Sequence, residues 1–389
     1  NASANVSINL TNVGLINSSS GKNFIVVYSC IKKDNSWDCN DNKWMLHTFT
    51  FSGGIRTVPL SCNTGSDCGS GTCSNGNCVA SGSSSGGSSS SGGGEAETPG
   101  TGTSDQPFNI YNCTDLQNMK DNLTASYKLA NDIDCSDTMN WNNGAGFVPV
   151  GADYSDPFTG NFEGNANTIS NLTINRPLTE YVGLFGATTG NIYNVGLINV
   201  NVTGLNYIGG LIGYQDGRTI NNSYAIGNAN GAYIGVLVGW QNSGTINNSY
   251  ATGNATGSNN IGVLVGLSKG TISNSYSTGN ANGLDTIGGL VGRQAEGTIS
   301  NSYSTGNVSG SELVGGLVGQ KSVETITNSF WYNRSQGLNC YSGGNTGCTA
   351  IIDINYFKGD VYPTNEPFAS WDFTDIWQEV SSYPKLKSF

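Results

Sequence analysis

The stretch "TINNSYATGNATG", residues 245–257, has near copies on both sides: "TINNSYAIGNANG" at 219–231 and "TISNSYSTGNANG" at 271–283. A four-residue element keeps the same beat. It reads "GLFG" at 183–186, "GLIG" at 210–213, "VLVG" at 236–239 and 263–266, and "GLVG" at 289–292 and 316–319. Asn-Ser-Tyr starts at 222, 248, 274 and 301, and Asn-Ser-Phe at 328. Self-similarity at a fixed period of this length marks a solenoid or array, whose units bury their apolar faces on one another.

Composition selects the kind of solenoid. Helical repeats need a 3.6-residue periodicity and few glycines, whereas this chain of 389 residues has 56 glycines. Its units hold short β-rich runs punctuated by Gly-Asn turns. Proline is missing from 178 to 362, as strands hydrogen-bonded on both edges require. One unit per coil, stacked at about 4.8 Å, aligns like residues in columns. Ile220, Ile246, Ile272, Ile299 and Ile326 form one column, and Leu211, Leu237, Leu264, Leu290 and Leu317 another. Tyr224, Tyr250, Tyr276, Tyr303 and Phe330 form an aromatic ladder, and Asn222, Asn248, Asn274, Asn301 and Asn328 an amide ladder. The expected fold is an all-β parallel β-helix of 26–27 residues per coil, right-handed by the crossover rule.

Gly-Leu-[Val/Ile/Phe]-Gly units of this length, with "TIxNSYSTGN" between them, resemble the GLUG-repeat family. The approach "YKLANDID…FVPVG…PFTGNFEGNANTISNLTIN" and the ending "WDFTDIW…YPKL" are similar to that family's flanks. The resemblance spans about residues 106–389; such repeats occur in large bacterial and archaeal surface proteins, including adhesins, so it implies a surface protein of that kind. GLUG repeats also accompany metallopeptidases that cleave immunoglobulin A. The resemblance does not extend to residues 1–79.

Three regions follow from composition. Residues 1–79 read as a small disulfide-rich β domain, a candidate base for anchoring or assembly. Residues 80–105, "ASGSSSGGSSSSGGGEAETPGTGTSD", read as a flexible linker. Residues 106–389 read as the β-helix, with a helical cap near 112–124 and a C-terminal cap near 331–389. In the helical cap, Thr114 and Gln117 match a capping box.

The ten cysteines group locally: Cys30 with Cys39; Cys62, Cys68, Cys73 and Cys78; Cys113 with Cys135; and Cys340 with Cys348. Zinc-type CxxC spacings are absent, and His47 is the sole histidine. The expectation is five disulfides, with the pairing inside Cys62–Cys78 open, and an oxidising compartment outside the cytoplasm. N-x-[Ser/Thr] sequons at Asn1, Asn5, Asn9, Asn17, Asn112, Asn122, Asn171, Asn201, Asn221, Asn247, Asn254, Asn307 and Asn333 indicate N-glycosylation. Asn221 and Asn247 fall in one column on adjacent coils; Asn254 and Asn307 share a column two coils apart.

The formal charge of −11 and a pI near 4.4 leave no basic stripe for nucleic acid. No apolar run reaches the ~18 residues of a membrane helix. No signal peptide or initiator Met stands at its start, so the chain reads as a mature or trimmed product. One histidine cannot supply a His-Glu-x-x-His zinc site. The acids of the repeat region, Asp216, Asp285, Glu296, Glu312 and Glu324, fall at differing offsets within their units. Asp132, Asp134 and Asp137 in "NDIDCSD" lack the frame of an EF-hand.

The expected function is therefore non-catalytic. No catalytic residue, metal or cofactor is expected. The chain is read as a glycosylated extracellular structural protein acting in adhesion, or as a subunit of a surface fibre or layer. Its partners would be copies of itself, glycans, or another cell's surface. The segment "NASANVSINLTNVGLI", residues 1–16, is suited to completing a neighbour's sheet. The alternative is a polysaccharide-acting β-helix enzyme.

Overall fold

The computed structural model describes residues 100–389 apart from 323–324, 333–336, 354–367, 379, 381–382 and 388–389, together with the backbone of seven short strands before residue 80. The sequons at Asn1, Asn5, Asn9, Asn17 and Asn333 lie outside the described residues. So do most of the 80–105 stretch and the side chains of the six cysteines from Cys30 to Cys78. The chain divides into two compact units, Asn1–Gly94 and Glu95–Phe389. In the first, Phe24–Val26 pairs antiparallel with Gly14–Ile16 on one side and Leu46–His47 on the other. Ile31–Lys33 with Ser36–Asp38, and Thr72–Ser74 with Asn77–Val79, form two further antiparallel pairs.

The second unit is a parallel β-solenoid of about six turns, wound around three sheets. One sheet has six strands, from Phe185–Thr188 to Val318–Lys321, and carries the Gly-Leu-apolar-Gly elements. A nine-stranded sheet runs from Phe108–Ile110 to Thr325–Thr327. The third, of fifteen strands, contains Gly196–Ile208, Tyr224–Ile234 and Tyr250–Gly257. The isoleucine column is in register: Ile192, Ile220, Ile246, Ile272, Ile299 and Ile326 each pair with the next. All six are buried, as are Leu184, Leu211, Leu237, Leu264, Leu290 and Leu317. Each side chain so buried contributes roughly 1.5–3 kcal/mol. Identity between units is thus the direct result of every residue having its counterpart for a neighbour.

Each letter of Asn-Ser-Tyr has its own task. Asn222, Asn248, Asn274, Asn301 and Asn328 all sit at φ between 46° and 48°, a left-handed corner that costs most L-residues roughly 1–2 kcal/mol and asparagine less. The serines that follow, Ser223, Ser249, Ser275, Ser302 and Ser329, are fully buried. Each Oγ donates to the carbonyl two residues back, at 2.7–2.9 Å. Each of the last four also accepts the N–H of the serine one coil earlier, at 3.2–3.3 Å. The hydroxyls therefore carry the ladder through the bend, where backbone alone would leave buried donors unpaired. The aromatic rings stack at 4.7, 4.8, 4.9 and 4.8 Å with planes within 8°.

The amide ladder expected on the corner asparagines is interrupted. Asn222 donates to Asn194 and Asn301 to Asn274, but Asn274 donates sideways to Asn247. The corner asparagines are held by backbone conformation first, and amide stacking follows only where the geometry permits.

The approach segment supplies more rungs than its irregular sequence suggested. Phe162, Tyr127 and Phe108 continue the isoleucine column toward the N-terminal end. The helix there spans Cys113–Asn118 and runs into a 3-10 turn at Met119–Asp121. Its cap is Asn112, which accepts from the N–H groups of Thr114 and Asp115. Thr114 is not the cap, and the expected capping box does not form: Gln117 instead exchanges two hydrogen bonds with the Val148 backbone. That exchange satisfies a half-buried amide and the loop at once, which the short box could not do. Leu116 and Met119 are fully buried. Cys113–Cys135 and Cys340–Cys348 are disulfide-bonded.

At the other end the chain folds back outside the solenoid core. Phe368, Trp371, Trp377 and Leu386 form a second apolar cluster with Tyr276, Tyr303 and Phe330. Trp371 donates to the Asn328 carbonyl at 2.8 Å, and the Tyr303 hydroxyl donates to Pro384. The "WDFTDIW…YPKL" ending thus covers the last three rungs of the aromatic ladder.

Candidate functional site

Two faces of the solenoid present aromatic side chains to solvent. The first is built on a second left-handed corner, one not anticipated from the repeats. Tyr181, Tyr207, Tyr233, Asn260, Thr286 and Leu313 occupy the same place on six successive coils, each at φ between 40° and 59°. Each stands just before an apolar-Gly pair, and the last glycine of the Gly-Leu-apolar-Gly element lies against it. A Cβ on Gly213 would meet the Tyr181 carbonyl carbon at 2.5 Å, and one on Gly239 that of Tyr207 at 2.4 Å. The invariant glycine exists because this corner presses on it.

The half-exposed tyrosines of this corner stack on one another. Tyr181 and Tyr207 lie 5.2 Å apart with planes within 12°, and Tyr207 and Tyr233 lie 5.0 Å apart. Tyr214 and Trp240, paired in register on the neighbouring sheet, close the cluster: Tyr207–Trp240 and Tyr214–Trp240 are both 4.9 Å. Tyr154, 68% exposed, sets its edge against Tyr181. Carboxylates rim the cluster. Burial foremost, then Glu180 and neighbouring groups including Asp153, raises the Tyr181 phenol above the ordinary tyrosine value. Burial and then Asp216 do the same for Tyr214. These phenols stay neutral and able to donate at any physiological pH. An apolar platform rimmed by acceptors and phenolic hydroxyls can hold a neutral polyhydroxylated ligand by ring contact and hydrogen bonds.

The second face is the uncovered start of the aromatic ladder. Tyr224 and Tyr250 are half-buried, whereas Tyr276 and Tyr303 lie under the C-terminal segment. A groove of about 520 Å³ runs along it, bordered by Thr252 and Thr278 on the ladder side and by Gln378, Tyr383 and Lys385 on the other.

Groups suited to catalysis are dispersed. Among the described residues no three His, Cys, Asp or Glu side chains gather as a metal site. Asp132 accepts from the Thr168 backbone N–H and hydroxyl, and Asp134 from Ser136 and Asn171. Both are committed to local structure. Glu296 reaches Lys269 across one coil at 3.7 Å, the one ion pair of the repeat region among the described residues. Asp216 accepts from Asn242 and Ser243 of the next coil.

The sequons occupy distinct settings. Asn112 is a helix cap, and Asn171 sits at φ 60° donating to Asp134. Asn221 and Asn247 pair in register on adjacent coils. Asn201, Asn254 and Asn307 fall together in another column with Asn228 and Asn280. Asn122 is exposed and accepts from the Thr124 hydroxyl. The outer aromatic corner escaped sequence reading because its residues change from coil to coil. Its signal was the aligned series Tyr-Val-Gly, Tyr-Ile-Gly, Tyr-Ile-Gly, Asn-Ile-Gly, Thr-Ile-Gly and Leu-Val-Gly.

Known proteins bear on this architecture. The chain is 39% identical over 140 residues to Halomucin of Haloquadratum walsbyi, a stretch that is 34% of this chain and 2% of that protein. It is 34% identical over 108 residues to an Evansella cellulosilytica protein provisionally described as a Gly-rich membrane protein, covering 27% of this chain and 12% of that one. The chain therefore spans a small fraction of these relatives. The crystal structure of a Bacteroides ovatus protein, provisionally described as an immunoglobulin A1 protease, superposes with a TM-score of 0.57 at 21% identity. The match covers 75% of this chain and 95% of that one. At such identity the likeness is one of fold. Residues 283–309 match the family model of the GLUG motif, and the neighbouring coils stack on that stretch in register.

Proposed function

We propose that the chain is a non-catalytic, N-glycosylated structural protein of the cell surface or extracellular space, whose solenoid displays its aromatic faces for adhesion to glycans or to another cell. The observation that carries this reading is the half-exposed cluster of Tyr181, Tyr207, Tyr233, Tyr214 and Trp240 on a rigid, in-register scaffold. Apolar area held out of the core on a repeat surface is a mark of contact with a partner. The relatives support a surface setting, and no described helix is long and apolar enough to cross a membrane. Nothing in the reading calls for nucleic acid as a partner.

A glycan-array screen of the full chain tests this reading. Binding that is lost in Tyr207→Ala and Trp240→Ala supports adhesion through this face. Breakdown of an acidic polysaccharide by the same material favours the enzymatic alternative. A fibre role through residues 1–16 is the finer form of the proposal. Gly14–Ile16 already pairs inside its own chain on one edge. If residues 1–16 join neighbours, deleting them should leave soluble monomers, and filaments that survive the deletion reject the fibre role.

A further inference from the structure

We infer that the N-linked glycans of the repeat coils form a single rank on one face of the solenoid, carried by Asn201, Asn254 and Asn307 on alternate coils, and that the repeat sequons at Asn221 and Asn247 stay bare. The inference rests on the glycoprotein reading above and specifies where that modification falls.

Strand register supplies the argument. Asn201, Asn228, Asn254, Asn280 and Asn307 stand in one column, each exposed. Two residues on, the column reads Thr203, Asn230, Thr256, Asn282 and Ser309, also in register. Strand periodicity turns both columns to the outside, while Val202, Ala229, Ala255 and Ala281 between them are buried. The hydroxyl that makes a sequon is therefore present on the first, third and fifth of these coils and replaced by asparagine on the second and fourth. Acceptor sites recur at two coil heights, about 10 Å, which leaves room for a sugar that a single coil height does not.

The column can accept the modification chemically. Asn254 Nδ2 donates to Asn228 Oδ1 at 2.9 Å, and Asn280 Nδ2 to Asn254 Oδ1 at 3.0 Å. Transfer breaks one Nδ2–H bond and forms an Nδ2–C1 bond to the sugar. The C1–O bond to a phosphate-linked lipid carrier breaks, and the proton leaves with the phosphate. The second Nδ2–H remains, enough for the single bond that Asn254 donates. The unglycosylated Asn228 and Asn280 act as amide spacers.

Asn221 and Asn247 are built differently. Their hydroxyl partners, Ser223 and Ser249, are fully buried and donate to the Asn221 and Asn247 carbonyls. Asn247 also donates to Asn221 and accepts from Ser273 and Asn274. A glycan there competes with the corner itself, and the two sites are one coil height apart.

Glycopeptide mapping of the full chain, secreted from an N-glycosylating host, decides the matter. Occupancy at Asn201, Asn254 and Asn307 should exceed that at Asn221 and Asn247 at least several-fold. Equal or reversed occupancy overturns the rank while leaving the glycoprotein reading intact; an unmodified chain overturns both. Asn230→Thr with Asn282→Thr places sequons on the two skipped coils, using a residue the column already holds. Occupancy at the neighbouring sites should then fall, and five fully occupied sites would overturn the spacing argument.

Discussion

The solenoid turns two kinds of left-handed corner, and they treat sequence oppositely. At the inner corner the residues are Asn-Val-Gly once, at Asn194, then Asn-Ser-Tyr four times and Asn-Ser-Phe once, because the repeated serine is fully buried and the ring is stacked between its counterparts. At the outer corner the left-handed residue is Tyr, Tyr, Tyr, Asn, Thr and then Leu, all at similar φ. Most of these side chains reach solvent, so only the backbone and the glycine that presses on it are constrained. A repeat protein keeps its letters where a neighbour reads them and releases them where solvent does. The released positions are where function can be written, and the aromatic cluster lies on them.

Substitutions at the two corners should separate them, beginning with the largest effect. Tyr276→Ala removes a buried rung and should cost about 3–5 kcal/mol, read from the denaturant midpoint. Tyr233→Ala at the outer corner should change stability by only about 0.5 kcal/mol while weakening ligand capture. Comparable losses from both would erase the distinction. Ser275→Ala leaves the Ser249 N–H buried without its acceptor and should cost about 1–3 kcal/mol. Asn274→Ala forces a Cβ-bearing residue without a polar side chain into the left-handed corner, at a cost of roughly 1–2 kcal/mol. At the outer corner the reverse change is available. Leu313→Asn installs the residue found at Asn260 in the same column and should raise stability by about 1 kcal/mol.

Alkaline titration sharpens the contrast without mutation. Burial foremost, then the phenol of the rung before, drives Tyr250 and Tyr276 far above the ordinary tyrosine value of 10.0. A folded-state value above the unfolded one means that stability is full below the ordinary value and is lost as pH rises past it, since the unfolded chain ionises first. The ladder phenols should therefore ionise only together with unfolding, followed by ultraviolet absorbance and circular dichroism in parallel. Ladder tyrosines that ionise before the fold is lost would contradict their burial.

The columns were legible because identity at a fixed interval is itself the contact map: Ile246 announces Ile220 and Ile272. Parallel strands, coil length and the stacked rings followed from that alone. Three features did not. The helix cap passed from Thr114 to Asn112 because a side-chain exchange 31 residues away claimed Gln117. Phe162, Tyr127 and Phe108 joined the isoleucine column without resembling it, since shape and apolarity suffice at that end. The outer corner was hidden because φ, not residue type, is what its column shares. Local pattern reports what is repeated, whereas tertiary partners decide what is merely compatible.

The stacked columns require adjacent coils to lie in register, and paired cysteines measure that most directly. Thr245 and Thr271 face each other on neighbouring strands, and Ser273 lies two residues further along. Thr245→Cys with Thr271→Cys should form a disulfide on mild oxidation, identified by peptide mass, because their Cα atoms are about one strand spacing apart. Thr245→Cys with Ser273→Cys should not, since the offset carries the pair beyond the roughly 7 Å that a disulfide spans. Efficient cross-linking of the second pair with failure of the first would show that the coils do not stack as described.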